Sequence, residues 1–184
     1  MITERFALSV VLFSAALFAQ PPHPSKGGPS VMDFTLASTA FASGATIPDD
    51  YTCRGADISP VLAWSGEPAK TVSFAVIADD PDAPVGTWVH WVIWSIPAGT
   101  RLLPKDVAKS GTLPNGAMQG RNDFGKVGYN GPCPPPGKTH RYFFRLYALD
   151  AKLTLQPGAT RQQLDAAMKG HILGKAEHMG TFRR

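Results

Sequence analysis

Two short stretches concentrate the side chains of this chain that could do chemistry. One runs Asp79-Asp80-Pro81-Asp82-Ala83-Pro84 and leads to Trp88-Val89-His90-Trp91. The other runs Gly128-Tyr129-Asn130-Gly131-Pro132-Cys133-Pro134-Pro135-Pro136-Gly137 and leads to His140-Arg141-Tyr142. Both set acids or histidines beside rigid Pro/Gly turns and strongly apolar β-type runs, the make-up of a small preformed polar pocket. A carboxylate near an imidazole orients the ring and favours its protonated form. A charged imidazole then donates a strong hydrogen bond to an anion. The same residue types could hold a metal or run acid–base hydrolysis. The sequence has no serine-nucleophile motif, zinc-protease His-Glu-x-x-His, Walker loop or Gly-rich dinucleotide loop. Binding is therefore expected ahead of catalysis, and no cofactor or metal is expected. Each stretch alone also has a plainer reading: an Asp-Pro turn, a structural histidine, a Pro-rich surface loop.

Three strongly apolar runs must position these groups. Thr71–Ala78 reads as a central strand, because it is β-branched and almost continuously apolar. Trp88–Ile96 reads as a second strand. Strict alternation puts His90, Val92, Trp94 and Ile96 on one face and Val89, Trp91, Ile93 and Ser95 on the other. Arg141–Leu149 is a third, with His140 and Tyr142 sharing a face. If the first two are neighbours, an acid at the end of one lies near His90 at the start of the other. Val61–Trp64 gives a short strand, and Phe34, Leu36 and Ile47-Pro48 suggest others. Residues 97–130 are rich in turn formers, as expected of a functional segment or several short strands. Thr160 reads as the N-cap of a helix over about 161–169, with Leu164 and Met168 on one face. His171–Met179 fits a second short helix with Ile172, Leu173 and Ala176 inward, and Gly180-Thr181-Phe182 a returning edge strand.

Hydrophobic residues make up 43% of the 184, enough for one domain with a proper core. With 18 Gly and 17 Pro and only 17% charged residues, the chain leans toward β structure with long ordered loops. Residues 1–19 fit a secretory signal peptide: a short polar start, an apolar run Phe6–Phe18 too short to span a bilayer, then Ala19. Residues 20–30 (QPPHPSKGGPS) read as a flexible linker, and 31–184 as the folded domain. The mature chain is expected in the periplasm or outside the cell, with no transmembrane anchor. A net charge of +4 suits anionic ligands, and no Lys/Arg run marks a nucleic-acid surface. In an oxidising compartment Cys53 and Cys133 either form one disulfide or remain two buried thiols.

Together these motifs resemble the phosphatidylethanolamine-binding protein family, also called Raf-kinase-inhibitor-like. Asp80-Pro81-Asp82-Ala83-Pro84, Trp88-Val89-His90-Trp91, Gly131-Pro132-Cys133-Pro134-Pro135 and His140-Arg141-Tyr142 carry the resemblance, which spans about 31–182. Ser59-Pro60-Val61-Leu62-Ala63-Trp64-Ser65-Gly66, Gly120-Arg121-Asn122-Asp123-Phe124-Gly125 and Gly170-His171-Ile172-Leu173 look like its bacterial branch. The resemblance implies a mainly β fold, a large antiparallel sheet packed on a smaller one with short C-terminal helices. It also implies an anion pocket for phosphate, acetate or a phospholipid headgroup. Carried over by motif, Asp80 and His90 sit in the pocket, Trp88 and Pro84 at its rim or floor, His140 and Tyr142 on the other side. Pro135 belongs to the wall, and Cys133 stands where animal members have glycine. The loop between Pro84 and Trp88 is shorter than in animal members, and their C-terminal helix is not matched, which implies a more open pocket. The expected function is non-catalytic capture of a small anion or headgroup. The alternative is an inhibitor or interaction protein acting on an envelope protease or another partner. A homodimer is compatible with either.

Overall fold

The computed structural model describes Met1 and residues 33–184. All but Met1 of the expected leader (1–19), the linker (20–30) and the start of the domain at 31 lie outside the described residues. The elements in chain order are β1 (Thr35–Ala37), β2 (Leu62–Ser65), β3 (Ser73–Asp80), β4 (Trp88–Pro97), β5 (Leu102–Leu103), β6 (Met118–Gln119), β7 (His140–Leu149), α1 (Arg161–Met168) and β8 (Ile172–Phe182), with a 3-10 turn at Asp49–Tyr51. They form two antiparallel sheets, β1-β2-β5 and β6-β4-β3-β7-β8.

The apolar run expected to be central is central: β3 has β4 on one side and β7 on the other, and all eight of its residues are buried. Its two faces serve two cores. Phe74, Val76 and Ala78 pack with Trp91, Phe144, Leu146 and, from the small sheet, Leu36 and Trp64. Ala75 and Ile77 pack with Val92, Trp94, Tyr147, Leu149 and the inward residues Leu164 and Met168 of α1. That helix starts where the sequence places it, with a capping box between Thr160 and Gln163.

Strict alternation fails along β4. Ala78 faces Trp91 while Asp79 faces Val89, so His90 is an extra residue in β4. Phe74 faces Ile96 while Val76 faces Ile93, which makes a second bulge where Ser95 takes φ +53°. Each bulge resets the alternation. Trp91, Ile93 and Ile96 therefore share one core, and Val89, Val92 and Trp94 the other.

The second helix expected over 171–179 is instead strand: β8 pairs with β7 from His140↔Phe182 to Leu149↔Ile172. Its buried positions, Ala176, His178, Gly180 and Phe182, recur every second residue. A Cβ at Gly180 would lie 2.5 Å from Ile47 and 2.7 Å from Phe41, so the small sheet's side of the core closes directly on the β8 backbone. The segment 97–130 holds only the two-residue strands β5 and β6.

Candidate functional site

In antiparallel order β3 ends where β4 and β7 begin, so Asp80, Trp88 and His140 arrive at one end of the large sheet. A cavity of about 180 Å³ opens there, lined by Asp80, Ala83, Pro84, Val85, Trp88, His90, Phe124, Cys133, Pro134, Pro135 and His140. Seven of the eight expected ligand-contacting residues thus line one space. The eighth, Tyr142, does not line the cavity. Its ring stands edge-on to His90 with centroids 5.3 Å apart, and its buried hydroxyl has no hydrogen-bond partner among the described residues. Burial and the negative charge of Asp80 push that phenol well above its ordinary pKa, so it stays a neutral donor.

The acid–imidazole pairing differs from the expected one. Asp80, the last residue of β3, accepts from His140 Nδ1 at 2.8 Å and not from His90. A carboxylate can only accept, so Nδ1 of His140 carries its proton and Nε2 is the nitrogen left for a ligand. His90 Nδ1 lies 2.7 Å from the backbone oxygen of Asn130, which likewise makes Nδ1 the donor and frees Nε2. The His90 bulge turns its ring toward Tyr142. Burial holds the His90 pKa below its ordinary value, although the Asn130 carbonyl and the Asp80 charge oppose this. His90 is therefore neutral at neutral pH rather than the standing cation expected from an acid neighbour.

Asp82 is outside the cavity. Its amide donates to Asp80 Oδ1 at 2.8 Å, closing the Asp-Pro turn. Its carboxylate takes a two-pronged contact from Arg141 at 2.7 and 2.8 Å plus the Arg141 amide at 3.0 Å. Those bonds hold it down at about pKa 2. Asp79 points to the opposite face, where Arg145 and Arg161 clamp it to β7 and α1. A larger cavity of about 410 Å³ lies on that face, but both of its arginines are already paired with acids. Among the described residues no three His, Cys, Asp or Glu side chains converge to hold a metal.

The Pro-rich wall is tied down by residues that the sequence reading did not single out. Asp57 accepts from the Gly131 amide at 2.6 Å, Asn130 Nδ2 at 2.7 Å and Lys109 Nζ at 3.0 Å. Burial opposes its charge, but these donors outweigh burial and keep its pKa below the ordinary carboxylate value. Asn122 donates to the Asn130 side chain and to the Gly128 carbonyl. Asp57 and Asn122 thus fix Asn130, and Asn130 fixes His90. A Cβ at Gly131 would sit 2.1 Å from the Tyr51 carbonyl oxygen, so only glycine permits this approach. Cys53 and Cys133 form a disulfide with Cα atoms 5.4 Å apart, which resolves the two readings of the pair. Phe124, one residue of the Gly120–Gly125 motif, also belongs to the site: its ring stands edge-on to both Trp88 and His90 at 5.4 and 5.3 Å. Its one sequence signal is an aromatic residue set in a polar Asn-Asp-x-Gly turn.

Comparison with known proteins agrees with this architecture. A family model described as phosphatidylethanolamine-binding protein matches residues 37–183. A UPF0098 protein of Methanothermobacter thermautotrophicus is 52% identical over 149 residues, covering 81% of this chain and 98% of its own. YbcL of E. coli, described as a new member of the mammalian PEBP family, superposes with a TM-score of 0.78 at 37% identity, over 82% of this chain and 98% of its own. A Chlamydia trachomatis protein described as a homologue of phosphatidylethanolamine-binding protein gives 0.75 at 39% identity, over 82% and 97%. The two packed antiparallel sheets, the motifs at their shared end and these matches lead to one conclusion: the chain belongs to the phosphatidylethanolamine-binding protein family.

Proposed function

We propose that this is an exported, non-catalytic binding protein whose cavity captures a small anion, either free phosphate or the phosphate of a phosphorylated headgroup. The observation that carries this reading is the pair of buried imidazoles, His90 and His140, meeting in one cavity with Nδ1 of each already committed to a protein acceptor. Each ring offers its remaining nitrogen in a fixed direction, and the Tyr142 ring stands edge-on to His90. A space of about 180 Å³ is below the usual size of drug-like pockets. It suits a headgroup-sized anion, with any larger remainder held against Val85, Phe124 and the prolines at the mouth. Because His90 is neutral when free, anion capture takes up a proton onto that ring. Export is supported by the apolar run Phe6–Phe18 followed by Ala19 and by the disulfide.

Calorimetric titration with phosphate and phosphoethanolamine tests the assignment. His90→Ala and His140→Ala each remove a charge-assisted bond and should weaken binding by roughly 10-fold or more. Unchanged affinity in a variant that keeps its fold contradicts the reading. An interaction role has one observation behind it: an apolar groove of about 270 Å³ in 97–130, lined by Leu102, Leu103, Pro104, Val107, Leu113 and Pro114. Capture of one envelope protein by the unmodified chain and equally by His90→Ala favours that second reading.

A further inference from the structure

The outer edge of the large sheet carries a self-complementary charge pattern. β8 is the edge strand, paired with β7 on one side only. Toward its end, the Met179 carbonyl accepts from Gly44, and Thr181 exchanges bonds with Ala45 and Ile47, so segment 44–47 occupies the edge there. Those bonds fix the phase of the strand: Met179 and Thr181 aim their backbone groups outward. By alternation, so do Lys175 and Glu177. Among the described residues no backbone group pairs with the outward N–H and C=O of these two positions. Their side chains are exposed, on the face opposite buried Ala176 and His178.

We propose that this edge pairs with the same edge of a second copy of the chain, antiparallel about Ala176, so that Lys175 of each copy lies opposite Glu177 of the other. Lys175 and Glu177 then make two hydrogen-bonded residue pairs, each exchanging both of its N–H···O=C bonds. Both pairs bring opposite charges together across the strands, which is favourable, while like charges directly opposite are not. The charges therefore select the register. An axis through Lys175 sets lysine against lysine, and an axis through Glu177 sets glutamate against glutamate. A lysine on an edge strand usually guards against pairing. Here Glu177 cancels that guard in one register and in no neighbouring one. Arg145, which also contacts Glu177 at 3.1 Å, keeps Asp79 as its other partner. Because segment 44–47 covers the edge from Met179 onward, the pairing is confined to about 174–178 in each copy. The contact is smaller than a standard stable interface, so the dimer is weak and populates at micromolar to millimolar concentrations.

Sedimentation velocity on the purified protein, over a concentration series reaching the millimolar range, tests this. The weight-average mass should climb from the chain mass toward twice that value. Lys175→Glu alone and Glu177→Lys alone should each abolish the climb, because each sets like charges opposite. The double exchange Lys175→Glu/Glu177→Lys should restore it. Lys175→Pro removes an outward N–H together with the ammonium that faces Glu177 of the other copy, so it should weaken association; the lost N–H is not one that the β7·β8 ladder uses. In the unmodified chain, the Lys175 and Glu177 amides should gain exchange protection as concentration rises. A chain that stays monomeric throughout, a dimer indifferent to the single reversals, failure of the folded double exchange to restore it, or amides whose protection ignores concentration overturns the proposal.

Discussion

His90 and His140 show how one residue type is prepared differently within a single site. His140 is oriented by a carboxylate, Asp80, and His90 by a backbone carbonyl, that of Asn130. The second arrangement supplies direction without supplying a full opposing charge, so burial wins and His90 resists protonation. His178, buried against Phe41 and bonded to its carbonyl, is also held below its ordinary value by burial. The consequence for stability has a definite sign. Below the ordinary histidine value of 6.5, the unfolded chain binds protons that these two rings in the fold refuse. The fold therefore loses stability as pH drops through that value, and keeps the full contribution above it. The melting temperature should fall between pH 7 and pH 5, and His90→Gln should flatten the fall. Saturating sulfate, which stays doubly charged throughout, should recover part of it by stabilising the imidazolium. A melting temperature that rises on acidification, or that His90→Gln leaves equally steep, contradicts this account. At this scale the sequence was informative about identity and silent about partners. Asp80, His90 and His140 stood out, but the pairing of Asp80 with His140 depends on β3·β7 register, which no local pattern encodes.

At the scale of elements, the bulge at His90 and the wall at 129–133 set the site. The bulge adds one residue to β4 and turns His90 toward Tyr142. The wall reaches the site through contacts on its far side: Tyr129 donates to the Tyr51 carbonyl at 2.8 Å, and Cys53 N–H donates to the Pro132 carbonyl at 3.1 Å. Gly131→Ala forces a methyl against the immobile backbone at Tyr51 and Thr52. It should cost about 1–3 kcal/mol in chemical denaturation, and should weaken anion binding as well, because Asn130 moves with it. Wild-type stability in this variant contradicts the packing described here. Strong apolar runs gave β3, β4 and β7 away in the sequence, and the Thr160 cap with the Leu164/Met168 spacing gave α1, with boundaries shifted by at most two residues. β8 was misread because Ile172, Leu173 and Ala176 satisfy a helical spacing. Three of the period-two set Ala176, His178, Gly180 and Phe182 are small or polar, so it carries little hydrophobic signal, although Gly174 and Gly180 fit a strand crossed closely by another layer. Neither bulge in β4 was legible, since a bulge is a mismatch between two strands rather than a property of one.

Across the molecule, the cavity sits where the ends of three central strands meet a loop wall fastened from a distant part of the chain. The disulfide joins positions 80 residues apart and anchors Cys133, a cavity-lining residue, to the loop after Tyr51. A closed loop of that length contributes roughly 4 kcal/mol in the chain-entropy view. Reduction, or Cys53→Ser with Cys133→Ser, should lower the denaturation midpoint and steepen the slope as the unfolded chain loses its cross-link, whereas an unmoved midpoint contradicts a stabilising role. The two-sheet architecture was legible because the motifs were, but the pairing of the cysteines was not, since sequence carries no Cα separation. The central claim is that His90 and His140 serve one anion through their free Nε2 nitrogens. Nitrogen-15 NMR of the imidazoles during a phosphate titration tests it most directly. The account predicts that Nε2 of both rings shifts along one saturation curve, with the same dissociation constant as calorimetry. Histidine resonances that stay still while phosphate binds, or that move with different saturation points, would contradict it.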